Sequence, residues 1–173
     1  MRVTSKGSLS GILWGVIAAI ARTIKPHPED NVGEIGPCQG ALIDARFEGG
    51  WAIKAIEIDR DLQSQLRVMF FNRDFTLFNY DALKFDFNEL SNADHDLRIV
   101  GNLPYNISTP LIFKLLTHLP IIRDMHFMLQ KEVVDRLAAS PGNKHWGRLS
   151  VMTQVDSDVE HLFDVPPEAF YPQ

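Results

Sequence analysis

Five short apolar runs recur along this chain with helix-like segments between them, and nearly every run finishes at or just before a glycine, an acid or an amide. The runs cover residues 32–36, 51–58, 75–78, 96–101 and 125–129, and the helix-like segments cover 40–47, 60–70, 108–119 and 131–139. Such alternation with short links implies right-handed crossovers and a mostly parallel sheet covered on both faces. Ligands of such sheets bind beyond the carboxyl ends of the strands, where the strand order reverses. Glu34, Gly36, Glu57, Asp81 and Asn102 all fall at or near those ends.

The fourth run leads into Asn102-Leu103-Pro104-Tyr105. This is the arrangement needed to methylate an amino group on a flat base. The lone pair of that nitrogen is delocalised into the ring, so it is a poor nucleophile. An Asn amide oxygen and a neighbouring backbone carbonyl can accept its two hydrogens and pull it towards tetrahedral geometry. Pro104 fixes the backbone that presents the carbonyl, and an aromatic ring can stack on a base that has left its helix or loop. Taken alone, the tetrapeptide is also what an ordinary strand-to-loop turn uses.

The turn after the first run reads Glu34-Ile35-Gly36-Pro37-Cys38-Gln39-Gly40. It lacks the Gly-x-Gly-x-x-Gly dinucleotide fingerprint and the Gly-Lys-Ser/Thr of a Walker loop. Glycines there let the backbone approach a ligand and take positive φ. Glu57 follows about twenty residues after the turn, where a carboxylate can accept both hydroxyl hydrogens of a ribose. Asp81 is placed to accept from an adenine amino group, or to cap a loop.

The 173 residues suit one domain, divided as an N-terminal helix region over 1–25 and an α/β core over 26–173. The apolar stretch 12–21 is shorter than the roughly 20 residues of a membrane span and reads as a core-packing helix ending before Pro26. A single cysteine excludes an internal disulfide framework, and the scattered histidines offer no metal spacing. A net charge of −5 is unlike the basic footprint of a nucleic-acid binder. Lys131, Arg136, Lys144 and Arg148 are the residues from which a local basic face could be assembled.

Further segments sharpen this pattern. They are Ala55-Ile56-Glu57-Ile58-Asp59-Arg60-Asp61-Leu62, Gln130-Lys131-Glu132-Val133-Val134-Asp135-Arg136-Leu137, Gly147-Arg148-Leu149-Ser150-Val151-Met152 and Val165-Pro166-Pro167-Glu168-Ala169-Phe170. With Glu34-Ile35-Gly36-Pro37 and the run 101–111, they resemble the ribosomal RNA adenine dimethyltransferases over roughly residues 24–173. The resemblance implies a Rossmann-like class I methyltransferase with a doubly wound, mostly parallel seven-stranded sheet and helices on both faces. It implies transfer from S-adenosylmethionine to two adjacent adenines near the 3′ end of small-subunit ribosomal RNA, during assembly of that subunit in the cytoplasm. The protein would act as a monomer, without a metal or a membrane.

On matching positions, Glu34, Gly36, Glu57, Ile58, Asp81, Ala82 and Asn102 would line the cofactor. Asn102 with the Leu103 and Pro104 backbone would hold the target amine, and Tyr105 and Phe170 would sandwich the base. Three departures from the family pattern stand out. Residues 5–11 differ from the segment that closes over the cofactor, and Cys38 replaces a loop glycine. The family's small C-terminal helical domain is the third, and it is expected to be absent here. Two alternatives remain at this point: a non-catalytic RNA-binding assembly factor that keeps the fold, and a DNA adenine methyltransferase.

Overall fold

The computed structural model describes residues 1–6, 20–25, 27–38, 40 and 52–165. In chain order the elements begin with β1 (Arg2–Lys6), β2 (Asn31–Ile35), β3 (Ile53–Glu57), α1 (Arg60–Met69) and β4 (Phe75–Asn79). A 3-10 turn (Phe87–Leu90), β5 (Leu97–Asn102), α2 (Tyr105–Leu116) and β6 (Ile122–Gln130) follow. The chain ends its described part with α3 (Lys131–Leu137), α4 (Arg148–Gln154) and β7 (Glu160–Val165).

The strands form one sheet in the order β4-β3-β2-β5-β6-β1-β7, and every neighbouring pair runs parallel. From β2 the chain steps outward to β3 and β4, then returns to the other side of β2 for β5 and β6. The order therefore reverses between β2 and β5, whose ends meet where Ile35 pairs with Gly101. β5 is buried at five consecutive positions, Leu97 to Gly101, as expected of a parallel strand covered on both faces. One face carries the main core, where Ile99, Phe127 and Leu129 meet Leu111, Leu115 and Val134. On the other face Ile24 and Ile20 pack against Val32 and Val100. α1 is opened by Asp59, whose side chain accepts from the amides of Asp61 and Leu62.

The mostly parallel sheet and the five internal strands match the sequence reading to within about three residues at their ends. Four elements differ from it. Residues 2–6, assigned to an N-terminal helix region, form a strand threaded between β6 and β7. A five-residue polar strand carries no periodic signal of its own. It forms because β6 pairs with all five of its residues and β7 with four of them, across a register shift between Val3 and Ser5. Among the described residues β7 is joined to the sheet through it. The helical residues at 20–24 do end before Pro26, whereas the helix expected over 40–47 lies almost wholly outside the described residues.

α2 begins at Tyr105 rather than at Ser108, and Pro110 sits inside it. The extended backbone of Pro104 (φ −68°, ψ 152°) ends the preceding segment, and its carbonyl accepts from the amides of Ile107 and Ser108. Ser108, inside the helix, donates its hydroxyl back to the Tyr105 carbonyl at 3.1 Å. α4 and β7 were not anticipated. Both are short, and their pairing depends on distant parts of the chain.

The amino-terminal edge of the sheet holds a buried charge network. Arg98 on β5 reaches Asp30 at 2.7 Å and Asp124 on β6 at 2.9 Å. Arg98 also donates to the Ile24 carbonyl at 2.7 Å, and Arg123 meets the second Asp30 oxygen at 2.6 Å. Burial works to raise the Asp124 carboxyl, but the adjacent His126 ring and the Arg98 guanidinium outweigh it and hold the group far below its usual range. Asp30 is likewise held below its usual value: burial opposes this, while the His27 amide and both arginines enforce it.

Candidate active site

The opposite, carboxyl edge gathers the residues singled out from the sequence. β2 delivers Glu34, which is 2% exposed, and the turn that follows has positive φ at Gly36 (63°), Cys38 (51°) and Gly40 (75°). The Gly36 amide donates to the Ile56 carbonyl at 3.0 Å. Among the described residues nothing lies within 4 Å of the place a Gly36 side chain would occupy. Gly101 is a close-approach position by contrast, since a side chain there would stand 2.9 Å from the Ile35 carbonyl. Cys38 is exposed. Its φ lies in the left-handed region that disfavours a side chain, at a penalty of about 1–2 kcal/mol.

Glu57 ends β3 and is 7% exposed, so its carboxylate is buried rather than solvated. One carboxylate oxygen accepts the Asp59 amide at 3.0 Å. Gln63, a buried polar residue of α1 that the sequence did not flag, donates to the Glu57 carbonyl and to Asn79 on β4, each at 2.8 Å. It locks the ends of β3 and β4 together. Beside Glu57, Ile58 is 63% exposed, an apolar surface suited to a flat ring. After β4, the Asp81 side chain accepts the Leu83 amide at 2.9 Å and Ala82 is nearly buried. Lys114 of α2 donates to the Leu83 carbonyl at 2.9 Å and so pins this loop from behind. No sequence signal marked Lys114, because its partner is a backbone atom distant along the chain.

Asn102 closes β5 opposite Met128, and Leu103 sits 1% exposed in the core with its amide bonded to the Met128 carbonyl at 3.1 Å. With the Pro104 carbonyl committed to the first turn of α2, the Leu103 carbonyl is the backbone acceptor left to act beside the Asn102 amide. Tyr105 opens α2 with 56% exposure. The Glu132 carboxylate of α3, an acceptor and a negative charge beside the phenol, holds that phenol above its usual value. Gln130, at the start of α3, makes no side-chain cap. Phe170 lies outside the described residues, as do residues 7–11 of the altered N-terminal segment.

Side by side along one edge, these groups form an acid-lined, glycine-floored strip ending at an amide–carbonyl pair and an exposed aromatic ring. Such a strip can hold a ribose-bearing cofactor lengthwise and present an amine to its far end. Among the described residues no helix is long and apolar enough to cross a membrane.

The same edge occurs in known proteins. The ribosomal RNA small subunit methyltransferase A of Pseudomonas savastanoi pv. phaseolicola is 56% identical over 91% of this chain. That of Saccharophagus degradans is 55% identical over 92%. The chain spans 59% and 60% of the length of these two relatives. Among solved structures, a dimethyladenosine transferase from Plasmodium falciparum superposes with a TM-score of 0.72 at 28% identity, over 86% of this chain and 52% of its own. The 23S rRNA methyltransferase ErmE follows at 0.65 and 26%, over 81% and 55%. Residues 14–173 match the profile of ribosomal RNA adenine dimethylases; with its reversed strand order and its Asn-Leu-Pro-Tyr edge, this chain belongs to that family.

Proposed function

We propose that this protein transfers methyl groups from S-adenosylmethionine to the exocyclic amines of two adjacent adenines near the 3′ end of small-subunit ribosomal RNA, acting on the immature subunit in the cytoplasm. The observation that carries the reading is the convergence of Glu34, Gly36, Glu57, Asp81 and Asn102 on the switch point of one parallel sheet, with an exposed Tyr105 at its end. The residues fit the cofactor. Gly36 leaves its backbone open, Glu57 offers a buried carboxylate, and Ile58 offers an exposed apolar face.

When bound, S-adenosylmethionine supplies an electrophilic methyl group on a sulfonium, which passes to the adenine nitrogen as the carbon–sulfur bond breaks. Glu57 would accept from the ribose hydroxyls, Asp81 and Ala82 would take the cofactor adenine, and Ile58 would cover its face. Glu34 and the Gly36 backbone would flank the methionine end. The Asn102 amide oxygen and the Leu103 carbonyl accept the two amine hydrogens and localise the lone pair towards the methyl group, with Pro104 holding that backbone still. Tyr105, with Phe170, stacks the base. Orientation and proximity supply most of the acceleration, and the methylated ammonium is acidic enough to release its proton to water.

One observation favours a second reading, an assembly factor that keeps the fold without the chemistry. Cys38 puts a side chain at positive φ where the cofactor loop is tightest. Calorimetric titration with S-adenosylmethionine separates the two: saturable binding is expected, and none would leave the assembly factor. Single-turnover transfer of labelled methyl groups to unmethylated small-subunit particles then tests the reaction itself, with dimethyladenosine as the expected nucleoside.

A further inference from the structure

The chain carries −5 overall, yet residues 136–155 contain no acid and hold Arg136, Lys144 and Arg148. The fold places this basic island beside the candidate active site, because α3 and α4 pack on each other and α4 packs on α2. Lys131 drops out of the island, since Asp135 takes it at 2.9 Å. Among the described residues no ion pair engages Arg136, Lys144 or Arg148, and all three are exposed.

One of them has an aromatic partner on α2. Arg136 itself lies one turn along α3 from Glu132. The Arg148 guanidinium lies 5.9 Å from the centre of the Phe113 ring, two turns along α2 from Tyr105 on the same side. From Arg148, the outer face of α4 continues through Val151 and Met152, which are 41% and 46% exposed. Exposed cations, one of them over an aromatic ring, with exposed apolar side chains beside them match a single nucleic-acid strand. Phosphates recur along it as fixed negative charges, and every base has an apolar face.

We propose that α2, α3 and α4 form the track for the RNA strand that carries the target adenines. Arg136, Lys144 and Arg148 neutralise its phosphates on the side of Tyr105 away from the cofactor strip. The proposal rests on the reading of Tyr105 as the base platform. It locates the strand's path and assigns its electrostatic grip to an otherwise acidic domain.

The test is a titration of the full chain with a short single-stranded RNA bearing two adjacent adenines, over a series of salt concentrations. Replacing all three cations (R136Q/K144Q/R148Q) should flatten the slope of log affinity against log salt by about 2, at roughly 0.7 for each single-strand phosphate released. Arg148 also covers Phe113, so Lys144→Gln is measured alone, with an expected change of about 0.7 and no packing to disturb. S-adenosylmethionine affinity, read in parallel, should not move. An unchanged slope in both variants overturns the proposal. So does an unchanged slope combined with lost binding to assembled particles, which would give the surface to a protein partner. A parent chain that keeps the slope but takes up no S-adenosylmethionine supports the track while removing the methyltransferase reading.

Discussion

The two edges of one sheet use the same residue types to opposite ends. At the amino edge every acid of the network has a cation: Arg98 serves Asp30 and Asp124, and Arg123 completes Asp30. At the carboxyl edge Glu57 is as deeply buried, yet the partner it shows is the amide of Asp59. Positive φ occurs at both edges, at Lys25 and His95 on the amino side and at Gly36, Cys38 and Gly40 within five residues of the strand-end turn. One edge closes its charges on each other and holds the strands together. The other keeps acceptor capacity and open backbone for something that is not protein.

The strongest way to break this contrast is Asn102→Ala. Methyl transfer should fall by a hundredfold or more in single turnover while S-adenosylmethionine affinity stays within about twofold, since the lost interaction is strongest in the transition state. If the variant transfers methyl groups as fast as the parent, Asn102 is only a turn residue.

Next in size is Arg98→Met, which should lower unfolding free energy by about 3 kcal/mol, because the buried Asp30 is left with Arg123 alone and the half-buried Asp124 loses its arginine. Denaturant midpoints measure this. The same network predicts a pH dependence. Asp30 and Asp124 are held below the ordinary carboxyl value of 3.8. Their stabilisation is therefore complete above that value and is lost as pH falls through it towards their depressed values. Arg98→Met should flatten the acid limb of stability against pH. An acid limb identical to the parent's would mean that the network is not the stabilising element it resembles.

Glu57→Ala should weaken S-adenosylmethionine binding by about 2–3 kcal/mol, the scale of hydrogen bonds to a charged acceptor, and calorimetry reads it directly. Thermal stability should hold or rise, in contrast to Arg98→Met, and a matching loss of stability would make the two edges alike after all. The smallest effect is expected for Cys38→Gly. Relief of a side chain at positive φ should stabilise the fold by about 1 kcal/mol and tighten cofactor binding, both visible in a thermal melt with and without S-adenosylmethionine. A lower melting temperature would mean that the Cys38 side chain makes contacts worth more than the strain.

Much of the carboxyl edge was legible because parallel strands couple sequence order to place. Once the apolar runs are recognised as consecutive strands, their ends fall on one edge, and Glu34, Glu57, Asp81 and Asn102 arrive there together. What stayed hidden has a common cause. Gln63 bonds to the Glu57 carbonyl, Lys114 bonds to the Leu83 carbonyl, and the Glu132 carboxylate bears on the Tyr105 phenol. Each serves the site through an atom distant in sequence, and nothing in its own neighbourhood announces the role.

Local chemistry was enough to specify the alternation of strands and helices, the left-handed turn around Gly36, and the rigid Asn102-Leu103-Pro104-Tyr105 exit from β5. These depend on backbone preference and on periodicity, which act within a few residues. Only the tertiary structure decided that residues 2–6 would complete β6 and carry β7, that α2 would start three residues before its serine, and that Arg98 would gather Asp30 and Asp124. It also decided that an acid-free stretch would line up beside Tyr105 in a chain of opposite charge. Backbone ladders and buried ion pairs satisfy groups brought together from opposite ends of the chain, and their stability exists only once the sheet has been assembled around them.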